Sequence, residues 1–291
     1  GDTSMSAHHG CELVMENLRR GLSAVGIEVI CEHSGKNWQS DKSVVNRLTR
    51  ADLLVVNGEG TMHHDRPQGY DFVAAAENTS RLGIPAYLVN CTWQKNSPEL
   101  ARRALAFRRI FVRESRSAEE LFTDGVSSTV VPDLTLGTTW PDRTCQRRGT
   151  LITDSTIPGI TKSLLRLSRQ IDQAEFVPVT ASHCSKMSFK RRCRQHVLRE
   201  FGRILDRGLG ITTSFAALPA ALPCAKDFLQ KLSGEERMLT GRFHAVCFAV
   251  LTGTPFLAMR SNSSKIESFI GDVGLSTERM VEAGISPEEL S

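Results

Sequence analysis

Short apolar strands alternate with amphipathic helices along this chain, and that order constrains the fold more than any other feature. Four apolar runs predict strands in the first half: Ala51–Asn57, Ile84–Asn90, Arg109–Arg113 and Ser128–Val131. Helical periodicity separates them, from near Tyr70 to Gly83 and from Ser115 to about Thr123. Strands that alternate with helices predict parallel βαβ units.

The same order restarts after an irregular stretch at residues 137–149, which we interpret as a domain linker. The later strand candidates are Leu151–Thr153, Glu175–Val179, Gly210–Thr213 and Pro255–Met259. The basic run Lys186–Arg194 is interpreted as the solvated face of a helix that leads to Arg207. We therefore predict an α/β fold of two Rossmann-like domains, residues 1–140 and 150–291, with an interdomain cleft.

Composition excludes several classes of protein. With 40% hydrophobic and 23% charged residues, the 291-residue chain can form a real core, and no apolar run approaches the ~20 residues of a membrane span. A net charge of +4 suits anionic small molecules or an anionic membrane surface and is too weak to indicate nucleic acid. The eight cysteines never form CxxC and predict reduced thiols, so we expect a cytoplasmic protein, at the membrane surface or away from it.

The beginning of the chain indicates a loop followed by a helix. Residues 1–4 are typical of the loop after a first strand, which we expect to precede Gly1, and His9 opens the following helix. Loops at the carboxyl ends of strands face the ligand crevice in doubly wound domains, so Asp2 and His9 are candidates for that crevice.

The first informative motif is Val56–Asp65, at the end of a predicted strand. Gly58 and Gly60 allow a ligand to approach the backbone closely, and Thr61 is suited to cap the next helix. Glu59 in this turn is a candidate general base toward an alcohol. A tight βα turn with a solvated Glu59 is the equally open alternative.

His63, His64 and Asp65 follow in the same loop. Adjacent residues of one backbone rarely converge on one metal ion, so we expect no metal site here. Asp65 is a second candidate for the general base.

The second informative motif is Thr240–Gly253, an apolar helix that begins near Arg242 and is closed by Gly253. Arg242 and His244 fall in its first turn, where free backbone N–H groups and the helix dipole attract anions. Basic side chains at this end of the helix interact unfavourably with the dipole unless an anion binds between them. Their presence therefore favours an anion site. The alternative is an arginine paired with a carboxylate of the same domain.

Two further strand ends carry weaker signals. The stretch Met259–Lys265 offers Ser264 and Lys265 for a phosphate, or is a plain surface loop. Arg113 and Asp133 follow other strands, and for each a structural role stays open.

Taken in order, these motifs resemble the polysaccharide pyruvyl transferase family. The residues that carry the resemblance are His9–Cys11, Ala51–Thr61, Gly83–Pro85, Val112–Ser115, Pro132–Asp133, Gly241–His244, Gly253–Pro255 and Ser264–Lys265. Two positions depart from the family pattern. His9 stands where an asparagine is commoner, and Glu59 interrupts a turn that is often all glycine.

The resemblance implies a glycosyltransferase-B-like pair of domains and transfer of the enolpyruvyl unit of phosphoenolpyruvate onto sugar hydroxyls. The acceptor would be a polysaccharide or its lipid-linked precursor, the product a pyruvate ketal, and phosphate would be released. The family's Arg-x-His matches Arg242 and His244, which implies that they handle the donor.

With the chemistry of the residues, this gives a set of site predictions. Arg242 clamps the anion, His244 is the acid and Glu59 the base, and no cofactor or metal is required. The donor residues are Arg242, Phe243, His244, Ser264, Lys265 and Arg113. The acceptor or cleft residues are Asp2, His9, Asn57, Gly58, Gly60, Thr61, Asp65 and Asn90.

Two other functions stay open. One is a glycosyltransferase that uses a nucleotide sugar, with the Arg242 helix binding a diphosphate. The other is a sugar- or anion-binding protein without catalytic activity. Phosphate release from phosphoenolpyruvate, dependent on an acceptor, separates the three.

Overall fold

The computed structural model describes residues 1–3, 8–141, 146–180 and 222–282. The chain forms two compact units. Unit 1 contains Gly1–Thr3, Met15–Leu134 and Ser268–Leu275. Unit 2 contains the described residues of Ser4–Val14, Thr135–Glu267 and Ser276–Ser291.

Unit 1 is built on a parallel sheet with the strand order β1-β2-β3-β4. Its strands are β1 (Leu54–Glu59), β2 (Ala86–Cys91), β3 (Arg109–Val112) and β4 (Thr129–Val130). The helices are α1 (His9–Ala24), which begins in unit 2, α2 (Lys42–Leu48), α3 (Pro67–Arg81), α4 (Pro98–Ala104) and α5 (Ser115–Thr123).

Local sequence explains where these helices begin. Asp41 caps α2 by accepting hydrogen bonds from the backbone N–H groups of Ser43 and Val44. Ser97 caps α4, and Pro98 occupies the first helical position, where its missing N–H costs nothing. The apolar faces of β1, β2, β3, α3, α4 and α5 meet in a core that includes Val56, Phe72, Leu88, Leu100, Ile110 and Leu121. Val44 of α2 packs in a second cluster with Trp38 and Ala75.

Unit 2 is built on a second parallel sheet, with the order β6-β5-β7-β8-β9. Its strands are β5 (Thr150–Ser155), β6 (Ala174–Phe176), β7 (Arg237–Gly241), β8 (Phe256–Met259) and β9 (Met280–Val281). Its helices are α6 (Pro158–Leu167), α7 (Ala225–Gly234), α8 (Phe243–Thr252) and α9 (Lys265–Asp272), which continues into unit 1. The core includes Ile152, Leu164, Phe176, Leu239 and Met259.

The predicted elements are largely confirmed. Helix α5 has the predicted bounds, and α8 lies between Arg242 and Gly253, whose left-handed φ of 61° ends it. The predicted turn at Gly58–Thr61 begins later than expected, because β1 continues through Glu59, which pairs with Cys91 of β2. The first helix after it begins at Pro67 rather than near Tyr70.

Two other predictions need correction. The sequence analysis missed β7, because it carries only two apolar side chains, Met238 and Leu239, between polar neighbours. Part of the predicted linker is packed against unit 2, since the Arg147 guanidinium donates hydrogen bonds to the carbonyls of Thr252 and Gly253 at the end of α8. The predicted strand at residues 210–213 and the basic run at residues 186–194 lie outside the described residues.

The predicted domain bounds, 1–140 and 150–291, stay a prediction. In the structure the long segment of unit 1 ends at Leu134, and the long segment of unit 2 begins at Thr135. Each unit also contains shorter segments from other parts of the chain. Within the described residues, every helix is too short or too polar to cross a membrane.

Candidate functional site

The junction of β7 and α8 in unit 2 positions Arg242 and His244. Arg242 is the N-cap of α8, and His244 lies in the first turn. The helix is fixed firmly because it is apolar on all sides and buried along nearly its whole length. Gly241 must lack a side chain, since a Cβ there would lie 2.5 Å from the Cβ of Ser155 on β5.

Arg242 forms an ion pair with a buried carboxylate of the same unit. The guanidinium Nε donates a 2.8 Å hydrogen bond to Asp154 Oδ2, and Nη2 donates to the same oxygen. Asp154 Oδ1 in turn accepts from the backbone N–H of Val179 at 2.9 Å. The alternative left open by the sequence, a paired arginine, is therefore the arrangement present, and the Arg242 charge alone does not indicate an external anion.

Asp154 is the partner of Arg242 that sequence reasoning missed. It is fully buried near the carboxyl end of β5 and orients the Arg242 guanidinium. A signal was available, because an acidic residue directly after the apolar run at residues 151–153 falls where ligand-facing residues of parallel sheets lie.

His244 packs against the segment that begins at His8. The two imidazole rings meet edge to face with their centroids 5.2 Å apart. Gly10 allows this approach, because a Cβ at that position would lie 2.1 Å from His244 Cγ. The backbone of His8 forms an antiparallel bridge with Thr180, which ties this segment to unit 2. As a loop histidine, His8 is predicted from the sequence to suit a hydrogen bond to substrate better than a metal ion, but it was not among the predicted donor or acceptor residues.

Basic side chains gather around these histidines. We call Arg242, His244, His8 and Lys265 the cation cluster. Burial, and then the charges of His244, Arg242, His9 and Lys265, hold the pKa of His8 well below its ordinary value of 6.5. Lys265 is itself buried, and its Nζ donates to Asn262 Oδ1 at 3.0 Å.

The remaining predicted donor residues divide between the units. Phe243 lies beside His244, with ring centroids 5.6 Å apart, and half-buried Ser264 directly precedes Lys265. Arg113 belongs to unit 1, where it is buried with its Nη1 2.9 Å from Asp133 Oδ2 and its Nε 2.7 Å from Thr92 Oγ1. Arg113 and the cation cluster therefore belong to different units.

Most predicted acceptor residues lie along the carboxyl ends of the unit 1 strands. We call Asn57, Glu59, Asn90, Thr92, Arg113 and Asp133 the polar edge. Glu59 Oε1 accepts hydrogen bonds from Thr3 Oγ1 at 2.5 Å and from Asn57 Nδ2 at 2.8 Å. Asn90 Oδ1 accepts from the backbone N–H of Leu134 at 3.1 Å.

The backbone along this edge is strained. Glu59 has φ of 36° and Asn90 has φ of 54°, in the left-handed region that non-glycine residues rarely adopt. Such strain costs roughly 1–3 kcal/mol per residue and concentrates at functional sites. Glu59 is also only 5% exposed, so the interpretation of a solvated turn residue was wrong. The strain also gives a physical reason for glycine at the equivalent family position.

Other predicted acceptor residues have structural contacts. Gly58 is required by close packing, since a Cβ there would lie 2.9 Å from Cys91 Cβ. Asp65 Oδ1 accepts from Ser97 N at 2.8 Å, which anchors the loop before α4. Thr61 does not cap the next helix, because α3 begins six residues later, at Pro67.

Three predicted residues remain. Gly60 has an open neighbourhood, with Arg113 Nη2 3.9 Å from where its Cβ would lie. Asp2 donates its backbone N–H to the His33 carbonyl at 2.9 Å. His9 belongs to unit 2, where its fully buried ring packs 5.4 Å from that of Phe228, so it does not share a unit with the other acceptor residues.

The described part of the chain contains no group of three or more His, Cys, Asp or Glu side chains arranged to hold a metal ion. His63 and His64 approach each other with their Nδ1 atoms 2.7 Å apart. At that distance one nitrogen donates a hydrogen bond to the other.

The polysaccharide pyruvyl transferase family matches residues 8–263, nearly the whole chain. The chain belongs to this family. The match includes the cation cluster residues His8, Arg242 and His244 and the whole polar edge. No curated protein sequence matches the chain significantly.

Solved structures similar to this pyruvyl transferase family member share its fold at low identity. A putative UDP-N-acetylglucosamine 2-epimerase from Listeria monocytogenes is 13% identical with a TM-score of 0.54, over 100% of this chain and 84% of that one. Another UDP-N-acetylglucosamine 2-epimerase is 14% identical with a TM-score of 0.54, over 99% and 83%. A functionally uncharacterised Klebsiella pneumoniae protein is 9% identical with a TM-score of 0.51, over 96% and 89%. They support the predicted α/β, glycosyltransferase-B-like class of fold.

Proposed function

We propose that this family member transfers the enolpyruvyl unit of phosphoenolpyruvate onto sugar hydroxyls of a polysaccharide or its lipid-linked precursor. The product is a pyruvate ketal, and phosphate is released. The observation that carries the proposal is the cation cluster at the start of α8, in a chain of the pyruvyl transferase family. We further propose that the reaction needs no metal or cofactor and takes place in the cytoplasm, with the enzyme either at the membrane surface or away from it.

The donor side of the proposal rests on unit 2. Phosphoenolpyruvate carries a phosphate and a carboxylate, and Arg242, Lys265 and the first N–H groups of α8 offer donors to both. Asp154 holds the Arg242 guanidinium through Nε and Nη2, so the fork is oriented before the donor binds. This preorganisation lowers the conformational entropy that is lost when the anion binds.

The chemistry removes two hydroxyl protons and adds one proton to C3 of phosphoenolpyruvate, and the second proton leaves with the phosphate. A sugar hydroxyl oxygen bonds to C2 of phosphoenolpyruvate while a proton is added to C3, which turns the methylene into a methyl group. A second hydroxyl then displaces phosphate from C2 and closes the ketal. We assign the acid to His244 and the anion clamp to Arg242, because both lie at the start of α8 and an imidazole is the commonest general acid in enzymes.

The acceptor side of the proposal rests on unit 1. Glu59 is our candidate for the base that takes the hydroxyl proton, since hydrogen bonds from Thr3 and Asn57 hold its carboxylate in one position. Asn57 and Asn90 supply amide groups of the kind that hydrogen-bond sugar hydroxyls. Asp65 is the weaker candidate, because its carboxylate already holds the Ser97 loop.

The test is acceptor-dependent phosphate release from phosphoenolpyruvate. Arg242→Ala is expected to weaken donor binding roughly 10- to 100-fold, the usual cost of losing a hydrogen bond to a charged group. His244→Ala should instead lower turnover about 10²- to 10⁴-fold, and His244→Gln should stay nearly as slow because it has no acid. Arg102→Ala, on the exposed face of α4, is the matched control and should behave as wild type.

Two outcomes would contradict the proposal. Wild-type turnover and donor affinity in folded Arg242 and His244 variants would make Arg-x-His structural. Nucleotide release from a nucleotide sugar, without phosphate release from phosphoenolpyruvate, would indicate a glycosyltransferase instead.

A further inference from the structure

We infer that His8 is a further donor-site residue, whose Nε2–H donates a hydrogen bond to an anionic oxygen of the bound substrate. This inference rests on the proposed function and extends it beyond the Arg-x-His pair. It assigns His8 a binding role distinct from the proton transfer proposed for His244.

A backbone contact determines which nitrogen of His8 carries the proton. The N–H of Gly10 donates a 3.0 Å hydrogen bond to His8 Nδ1, so that nitrogen must present its lone pair. In a neutral imidazole the proton is then on Nε2. Among the residues that the structure describes, none accepts a hydrogen bond from Nε2, and His8 is half-buried.

The position of the ring explains which ligand this donor suits. It packs edge to face on His244, and His244, Arg242 and Lys265 all act on it electrostatically. The antiparallel bridge to Thr180 fixes its backbone. A neutral N–H donor held among cations contributes a directed hydrogen bond to an oxyanion and adds no further repulsion between like charges.

Two variants of His8 separate a binding role from a structural one. In His8→Asn the amide oxygen takes the place of Nδ1 and still accepts from Gly10, but no group reaches the position of Nε2. In His8→Gln the amide nitrogen reaches that position and donates, while the acceptor for Gly10 is lost. The two substitutions therefore each remove one of the two contacts.

The experiment measures phosphoenolpyruvate affinity by titration calorimetry and stability by thermal melting, for wild type and both variants. If His8 binds the substrate, His8→Asn weakens binding about 10- to 100-fold at an unchanged melting temperature. His8→Gln keeps affinity within about threefold of wild type, as expected for a retained donor, and melts earlier. Inorganic phosphate and pyruvate as separate ligands show which anionic group contacts His8.

Other results overturn the inference. If His8→Asn binds normally while His8→Gln is impaired in stability and affinity together, His8 only supports the backbone at Gly10. Unchanged affinity in both variants also rejects it. If Arg242→Ala weakens phosphoenolpyruvate binding in that case, the proposed function stands without His8. If wild type itself does not bind phosphoenolpyruvate, the proposed function and the inference fail together.

Discussion

The polar edge of unit 1 and the cation cluster of unit 2 both lie at the carboxyl ends of parallel strands, but they balance charge differently. In the polar edge, Arg113 is paired with Asp133, and the Glu59 carboxylate is hydrogen-bonded by neutral side chains. In the cation cluster, Arg242 forms an ion pair with Asp154. His8 lies close to several other basic side chains.

This difference separates a region suited to neutral ligands from one suited to anions. A buried pair such as Arg113–Asp133 has its charges neutralised within the protein, so it offers little attraction to a charged ligand. Burial, and after it the positive charges of the neighbouring basic side chains, hold the pKa of His8 below its ordinary value. A bound anion would offset these positive charges.

The largest expected effect is on stability, from breaking the buried pair of the polar edge. Arg113→Ala removes the arginine that is ion-paired with the buried Asp133 carboxylate and should cost about 3–5 kcal/mol of unfolding free energy. Arg242→Ala should cost less, since the Arg242 side chain is 14% exposed and water can partly replace it. Urea unfolding of both variants measures the difference.

The two arginine variants test the comparison directly. Equal losses of stability would mean that the two arginines have equally structural roles. The proposed difference between the polar edge and the cation cluster would then be contradicted. Arg102→Ala on the exposed face of α4 serves as the reference for removing an arginine without a buried partner.

A middle-sized effect is expected where the cation cluster is packed most closely. Gly10→Ala places a Cβ 2.1 Å from His244 Cγ, so the ring must move, at a cost of about 1–3 kcal/mol. Turnover should fall as well, because the displaced His244 no longer meets the donor. Gly21→Ala, in the same helix with nothing within 4 Å of the new Cβ, should instead stabilise by roughly 0.5–1 kcal/mol. Normal turnover in a folded Gly10→Ala protein would count against His244 as the acid.

The smallest expected effect is the pH dependence of stability. The pKa of His8 is lowered in the folded protein, so below the unfolded value of 6.5 the unfolded chain binds more protons, and stability falls as pH falls. From pH 7 to pH 6 the loss should be below about 1 kcal/mol. Added phosphate should offset this loss of stability, and His8→Gln should make the loss smaller. The measurement is thermal melting at each pH, with and without phosphate. If the melting temperatures of wild type and His8→Gln respond identically to pH, the predicted contribution of His8 is contradicted.

Part of the candidate site was predictable because its signals are local. The apolar run after Arg242 and the glycine at position 253 mark the bounds of α8, so the placement of Arg242 and His244 in its first turn followed from periodicity and capping. The end of β1 was mistaken because Gly58 and Glu59 have weak strand propensity, and pairing with β2 overrides it.

By itself the sequence determined the class of fold, through alternating strands and helices, and the family, through motifs spread over residues 8–263. Only the tertiary structure decided the partners: Asp154, 88 residues from Arg242, and the contact of His8 with His244. It also decided that Glu59 is buried, strained and hydrogen-bonded by Thr3 and Asn57. The physical reason is that periodicity and capping depend on near neighbours, whereas ion pairs, ring contacts and burial depend on which distant segments the packing brings together.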